Sequence, residues 1–147
     1  MPTVTVSSVI DATASEVWAV IRDFNGLPSW HPRMVKSHIE GDMQTNQIGC
    51  VRNFEVVSGA RLREKLLAMS DVDFSVTYTI LETPAPISNH QATLRLIPIT
   101  DGNLCAAEWT ATFDCPPEKA EAEAAGMGAN VFQGGFNALK ERFAKKG

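Results

Sequence analysis

From Val35 to Asp114 the chain reads almost entirely as strand, cut by turn signals at Gly41-Asp42, Ser58-Gly59, Ser70-Asp71, Pro84-Ala85-Pro86 and Asp101-Gly102. Alternating runs between such breaks are the pattern of hairpin-linked strands. The last break, between TLRLIPIT and NLCAAEWTATF, is the strongest, because Asp-Gly readily takes the left-handed backbone of a tight hairpin. An antiparallel meander is therefore expected, and one of its faces has to be buried. The covering element follows Pro116-Pro117, where EKAEAEAAGMGANVFQGGFNALKERFAKK reads as one long helix. Phe132, Phe136, Leu139 and Phe143 recur at helical spacing along it. Acidic residues crowd its start and basic ones, including Lys145 and Lys146, its end, which suits the helix dipole. Gly126, Gly128, Gly134 and Gly135 weaken a helix, so they mark either close packing on the sheet or volume left free for a ligand.

Successive side chains of a strand point to opposite faces, so parity shows which residues are inside. In NLCAAEWTATFDC the inner set is Cys105, Ala107, Trp109, Ala111 and Phe113; in DFSVTYTIL it is Phe74, Val76, Tyr78 and Ile80. In RLREKLLAM it is Leu62, Leu66 and Ala68, which carries Glu64 inward, and in CVRNFEVV it is Phe54 and Val56, which carries Arg52 inward. Val57-Ser58-Gly59 fits a three-residue hairpin with glycine at its left-handed position. That register pairs Phe54 with Leu62 and Arg52 with Glu64, and a similar turn at Ser70-Asp71-Val72 would set Tyr78 opposite Glu64. The expectation is an interior row Arg52–Glu64–Tyr78. It has two readings: a buried ion pair whose desolvation offsets its attraction, or the polar anchor of an apolar small-molecule site.

Ahead of the meander, Thr3 to Ile10 alternates as a strand. DATASEVWAVIRDF then places Val17, Trp18, Ile21 and Phe24 on one helical face, with Thr13 or Ser15 as the cap. The stretch GLPSWHPRM (residues 26–34) suits neither helix nor strand, and its prolines make it a corner or short helical turn. Trp30 would pin that corner to the core. His31 would either close it with a hydrogen bond or sit at a cavity rim, where a near-neutral pKa serves proton transfer. His38 falls on a strand surface, and His90 in a mouth loop, as an exposed histidine or a ligand contact.

At 147 residues the chain is expected to form one domain (1–147) with a core large enough to enclose a cavity. The net charge of −4 comes with no basic stripe, which argues against a nucleic-acid partner. No apolar run is long enough to span a bilayer. The alternating N-terminus is unlike a signal peptide, and three cysteines without metal-ligand spacing read as reduced thiols, so a cytoplasmic location is expected. No nucleophile elbow, metal-ligand cluster or phosphate loop is visible; neither metal nor cofactor is expected, and the chain would act as a monomer or homodimer.

Strand, two short helical units, six-strand run and long C-terminal helix together resemble the SRPBCC (START) superfamily, the helix-grip fold: an α+β architecture in which about seven curved antiparallel strands wrap the last helix. LPSWHP, IGCVRNF, LREKLLAMSD, TPAPISNHQATLRLIP, EWTATF and VFQGGFNALKERF are similar in order and spacing to the bacterial polyketide cyclase/dehydrase-like group. A more distant similarity is to the plant abscisic acid receptors. Their gate loop matches Ser58-Gly59-Ala60 without its leucine and proline, their latch matches Asn89-His90-Gln91, and Pro32 stands where they have a lysine. The resemblance implies an apolar cavity between sheet and helix, lined by Phe54, Val56, Leu62, His90, Trp109, Val131, Gly135 and His31. The helix flank Met127, Val131, Gly135 would offer it no polar group. It further implies a carrier of a small hydrophobic, aromatic or lipid-like molecule, with Arg52 and Glu64 fixing a polar end. The alternative it implies is a cyclase or dehydratase, with Arg52 polarising a carbonyl and Glu64, Tyr78 or His31 moving protons. Amine–aldehyde condensation, which some plant members perform with an interior lysine, is not supported, because Lys65 has outward parity.

Overall fold

The strands expected from alternation form a single antiparallel sheet in the structure, a computed structural model that describes residues 1–144. They are β1 (Thr3–Ile10), β2 (Met34–Ile39), β3 (Val51–Val56), β4 (Arg61–Ser70), β5 (Ser75–Glu82), β6 (Ser88–Ile99) and β7 (Leu104–Asp114). The order β1-β7-β6-β5-β4-β3-β2 makes a meander of six strands, with β1 added beside β7. The curved sheet and its C-terminal helix are the α+β helix-grip architecture.

Between β1 and β2 lie α1 (Ala14–Ile21) and a 3-10 turn (Phe24–Ser29). Thr13 caps α1 by accepting the Glu16 N–H at 3.2 Å, and Val17, Trp18 and Ile21 are the face it buries. Trp18 Nε1 donates to Asp71 at 2.7 Å and Arg22 Nε at 3.0 Å, which ties the helix to the β4–β5 turn. Within GLPSWHPRM, Trp30 is buried and the Arg33 carbonyl accepts the Val57 N–H at 2.8 Å. The corner thus holds the β3–β4 turn against the N-terminal unit.

The β3–β4 register is the one expected, with Arg52 opposite Glu64 and Phe54 opposite Leu62. The β4–β5 register is not. The turn takes the four residues Asp71 to Phe74, with Ser70 opposite Ser75, and together with a bulge between Leu66 and Ala68 this leaves Tyr78 opposite Leu66 and Glu64 opposite Ile80. The extra residue also turns Ala68 out to solvent and brings Met69 toward the core. A bulge inverts parity beyond it, which alternation alone cannot foresee.

The C-terminal segment is helical as expected but is not one uniform α-helix. It runs α2 (Ala120–Gly126), a π-helical stretch (Met127–Gln133) and α3 (Gly134–Arg142); Lys145 and Lys146 lie outside the described residues. Phe132, Phe136 and Leu139 are buried and Phe143 is partly so. The π stretch coincides with a tertiary contact: the Val131 carbonyl accepts from His31 Nε2–H at 2.7 Å. Widened turns leave backbone groups free for outside partners. Gly135 shows why glycine is needed next to it. A Cβ there would lie 3.0 Å from His31 Cδ2 and Trp109 Cζ3 and 3.1 Å from Trp30 Cζ3. Close packing is therefore the role of Gly135, whereas Gly126 borders open volume.

Candidate functional site

The inner face of β3 to β7, the 3-10 turn and the C-terminal helix line a partly open cavity of about 230 Å³. Phe54, Val56 and Leu62 form its apolar floor, Trp109 and Phe132 its inner end, and Met127 and Val131 its helical wall. Trp109 stacks on Phe132 with centroids 4.6 Å apart, so the inner end is a rigid aromatic surface.

Arg52 and Glu64 supply the buried charge. Each side chain is only 7 % exposed. Arg52 Nε donates to Glu64 Oε1 at 2.8 Å, and Nη2 lies 2.7 Å from the same oxygen. Nη1 donates to the Phe24 carbonyl at 3.2 Å. The guanidinium sits over the Phe24 ring at 4.0 Å and the Tyr78 ring at 4.8 Å, contacts that favour a desolvated cation. Burial pushes the Glu64 carboxyl above the usual range, opposed by the charge and hydrogen bond of Arg52. Among the described residues Oε2 accepts no hydrogen bond, so it is the oxygen left to the cavity. Tyr78 accepts from Trp109 Nε1–H at 3.1 Å, and burial pushes its phenol up.

His90 is not the exposed loop residue that one reading of the sequence allowed. It lies on β6, 5 % exposed, lining the cavity. The β5–β6 ladder stops at Tyr78 and Ala92, and β6 shifts register against β7 between Ser88 and Gln91. In place of the next ladder bond, His90 Nδ1 accepts the Ile80 N–H at 3.1 Å, and Thr79 Oγ1 donates to the His90 carbonyl. Nδ1 is therefore unprotonated and Nε2 carries the hydrogen. Burial lowers the pKa of this ring to about 4.

Of the residues anticipated, Arg52, Glu64, Tyr78, Phe54, Val56, Leu62, His90, Trp109 and Val131 converge on the cavity. Gly135 and His31 stand behind its wall. His31 is fully buried, accepts the Arg33 N–H on Nδ1 at 3.3 Å and has its pKa lowered by burial. The helix wall is also not wholly apolar, since Glu123 and Asn130 line the cavity, as do Arg33 and Thr83. Asn130 follows Met127 by three residues and Glu123 precedes Met127 by four, so helical spacing from the Met127 flank could have named both. Arg33 and Thr83 sit in corners without periodicity. Ile80 and Phe132 were on the inner parity and the helical stripe, and could have been named from those signals. Lys65 and His38 are exposed, as expected.

A sheet gripping a helix over such a cavity defines the helix-grip class of proteins. Within it, this chain belongs to the polyketide cyclase/dehydrase and lipid transport family, whose model matches residues 1–144. It is similar to a Thermobifida fusca protein of known solution structure, with 34% identity, TM-score 0.88, and 97% and 93% of the two chains covered. The XoxI protein of Bacillus cereus is similar at 29% identity, TM-score 0.85, with 97% and 96% covered. Norcoclaurine synthase from Thalictrum flavum shares the fold at 15% identity, TM-score 0.75, with 99% and 94% covered. No curated protein matches the chain in sequence. Among the described residues no helix is long and apolar enough to cross a membrane.

Proposed function

We propose that the chain binds a compact hydrophobic or aromatic molecule in this cavity, with the Arg52–Glu64 pair at the ligand's polar end. The observation that carries the reading is a largely apolar, partly open cavity of about 230 Å³ with one buried charge pair in its wall. An apolar cavity of about 150 Å³ suffices for benzene, and drug-sized ligands use roughly 300 Å³ or more. The volume therefore suits one or two rings with small substituents and is too small to enclose a long acyl or poly-ketone chain. A carrier acting in a cytoplasmic setting, as monomer or homodimer, is the form of this reading that the sequence favours.

A cyclase or dehydratase is the second reading, favoured by one observation: Glu64 has a free oxygen on the cavity and a raised pKa, as a proton-transfer group needs. In that reading Arg52, Glu64 and Tyr78 would be catalytic. Unchanged turnover of an identified substrate in Glu64→Gln and Tyr78→Phe would dismiss it.

The binding reading is tested by native mass spectrometry of the purified protein beside a Leu62→Trp variant, whose larger side chain fills the cavity. The expected result is a small adduct on the wild type that is released on denaturation and lost in the folded variant. An adduct retained equally by the filled variant would place the ligand elsewhere and refute the reading.

A further inference from the structure

We infer that the cavity selects a ligand bearing a hydroxyl group over a carbonyl or carboxylate of the same size; this rests on the binding reading above and specifies its ligand. The argument begins with how Arg52 is used. Two of its nitrogens converge on Glu64 Oε1 at 2.8 and 2.7 Å, the third donates to the Phe24 carbonyl at 3.2 Å, and rings cover its plane. A ligand carbonyl could reach only the Nη hydrogens that remain, and a ligand carboxylate there would lie beside the Glu64 carboxylate, itself buried with its side chain 7 % exposed.

The acceptor with unused capacity is on Glu64. Glu64 Oε2 lacks a donor among the described residues, and an anionic ligand beside it would be repelled. The remaining polar groups on this wall are donors. His90 accepts the Ile80 N–H on Nδ1 and so bears its hydrogen on Nε2. The Tyr78 oxygen already accepts from Trp109, which leaves its own O–H to give. The rings of Tyr78 and His90 are 5.8 Å apart, and both residues line the cavity. A hydroxyl both gives and takes a hydrogen bond. It can donate to Glu64 Oε2 and accept from His90 or Tyr78, whereas a ketone leaves Oε2 unmet. Sites built around a hydrogen-bonding partner discriminate strongly against analogues that lack it. Hydrogen bonds to charged groups contribute about 1.5–3 kcal/mol, equivalent to roughly tenfold or more in affinity.

The test is NMR titration of the full-length 15N-labelled chain with four probes of similar size: 1-phenylethanol, acetophenone, ethylbenzene and benzoate. The expected result is 1-phenylethanol binding roughly tenfold or more tightly than the other three, with shifts at the Trp109 indole and the His90 amide. In Glu64→Gln the alcohol-over-ketone ratio should collapse toward one; should that variant fail to fold, the wild-type ranking decides the matter alone. Equal affinities for the alcohol and the ketone would overturn this inference and leave the cavity as a binding site. Benzoate or acetophenone binding tightest would overturn it in favour of Arg52 as the reading group. No binding by any probe would overturn the binding reading and this inference together.

Discussion

Replacing Arg52 by methionine removes the only charge among the described residues within bonding distance of Glu64 and leaves a carboxyl buried with 7 % side-chain exposure. In the native protein Arg52 opposes the effect of burial on Glu64; without it, burial acts alone and Glu64 folds neutral. At pH 7 that requires taking up a proton against an unfolded-state pKa of about 4.3, which costs roughly 2.7 × 1.36, or about 3.7 kcal/mol. This agrees with the 3–5 kcal/mol typical of breaking a buried pair. The sign follows from the raised folded pKa: the penalty is small below about pH 4.3 and grows as pH rises. At pH 5 the same arithmetic leaves only about 1 kcal/mol. Urea denaturation of wild type and variant at pH 7 and pH 5 should therefore show a midpoint difference of roughly 1–4 M that shrinks several-fold in acid. The Arg52→Met/Glu64→Leu double variant, which removes both charges, should return to within about 1–2 kcal/mol of wild type. A penalty that does not change with pH, or a double variant as unstable as the sum of its parts, would refute the assignment of Arg52–Glu64 as a desolvated pair.

His90 makes a second acid-side contribution. Its folded pKa is depressed to about 4 by burial, so the stability it confers is present above its unfolded value near 6.5 and is lost as pH falls toward 4. It amounts to at most roughly 3 kcal/mol, and His90→Asn, whose side-chain oxygen can take the place of Nδ1 as acceptor for the Ile80 N–H, should flatten stability over that window; an unchanged pH profile would contradict this. Gly135→Ala places a methyl 3.0–3.1 Å from three packed rings. Overpacking of about 1–3 kcal/mol should exceed the gain of up to about 1 kcal/mol in helix propensity, lowering Tm in a calorimetric scan. A raised Tm would mean that the rings yield.

Much of this molecule is legible along the chain because its strands obey a short-range rule. With one face buried and the other wet, alternation assigns every inward residue until something adds or removes a residue. Hence Arg52 and Glu64 are recognisable as an inward pair, and the Val57-Ser58-Gly59 turn sets them directly opposite each other. Tyr78 is recognisable as inward, but its partner is not: the β4–β5 turn takes four residues, Asp71 to Phe74, instead of three, and the bulge in β4 adds one more, so Leu66 rather than Glu64 faces it. Nothing local marks that bulge, since Leu66-Leu67-Ala68 is apolar throughout.

The sequence by itself determined the strand order of the meander, the covering helix, the inward charge pair and most of the cavity lining, because periodicity and turn chemistry act over a few residues. Only the tertiary structure decided the rest. It placed His31 behind the cavity wall, where its hydrogen bond to the Val131 carbonyl accompanies the π stretch. It turned His90 inward where the β5–β6 ladder ends, and it set Arg33 and Thr83, which no periodicity marks, beside the cavity. Each of these depends on contacts between segments far apart in the chain, whose geometry is settled when sheet and helix close on one another.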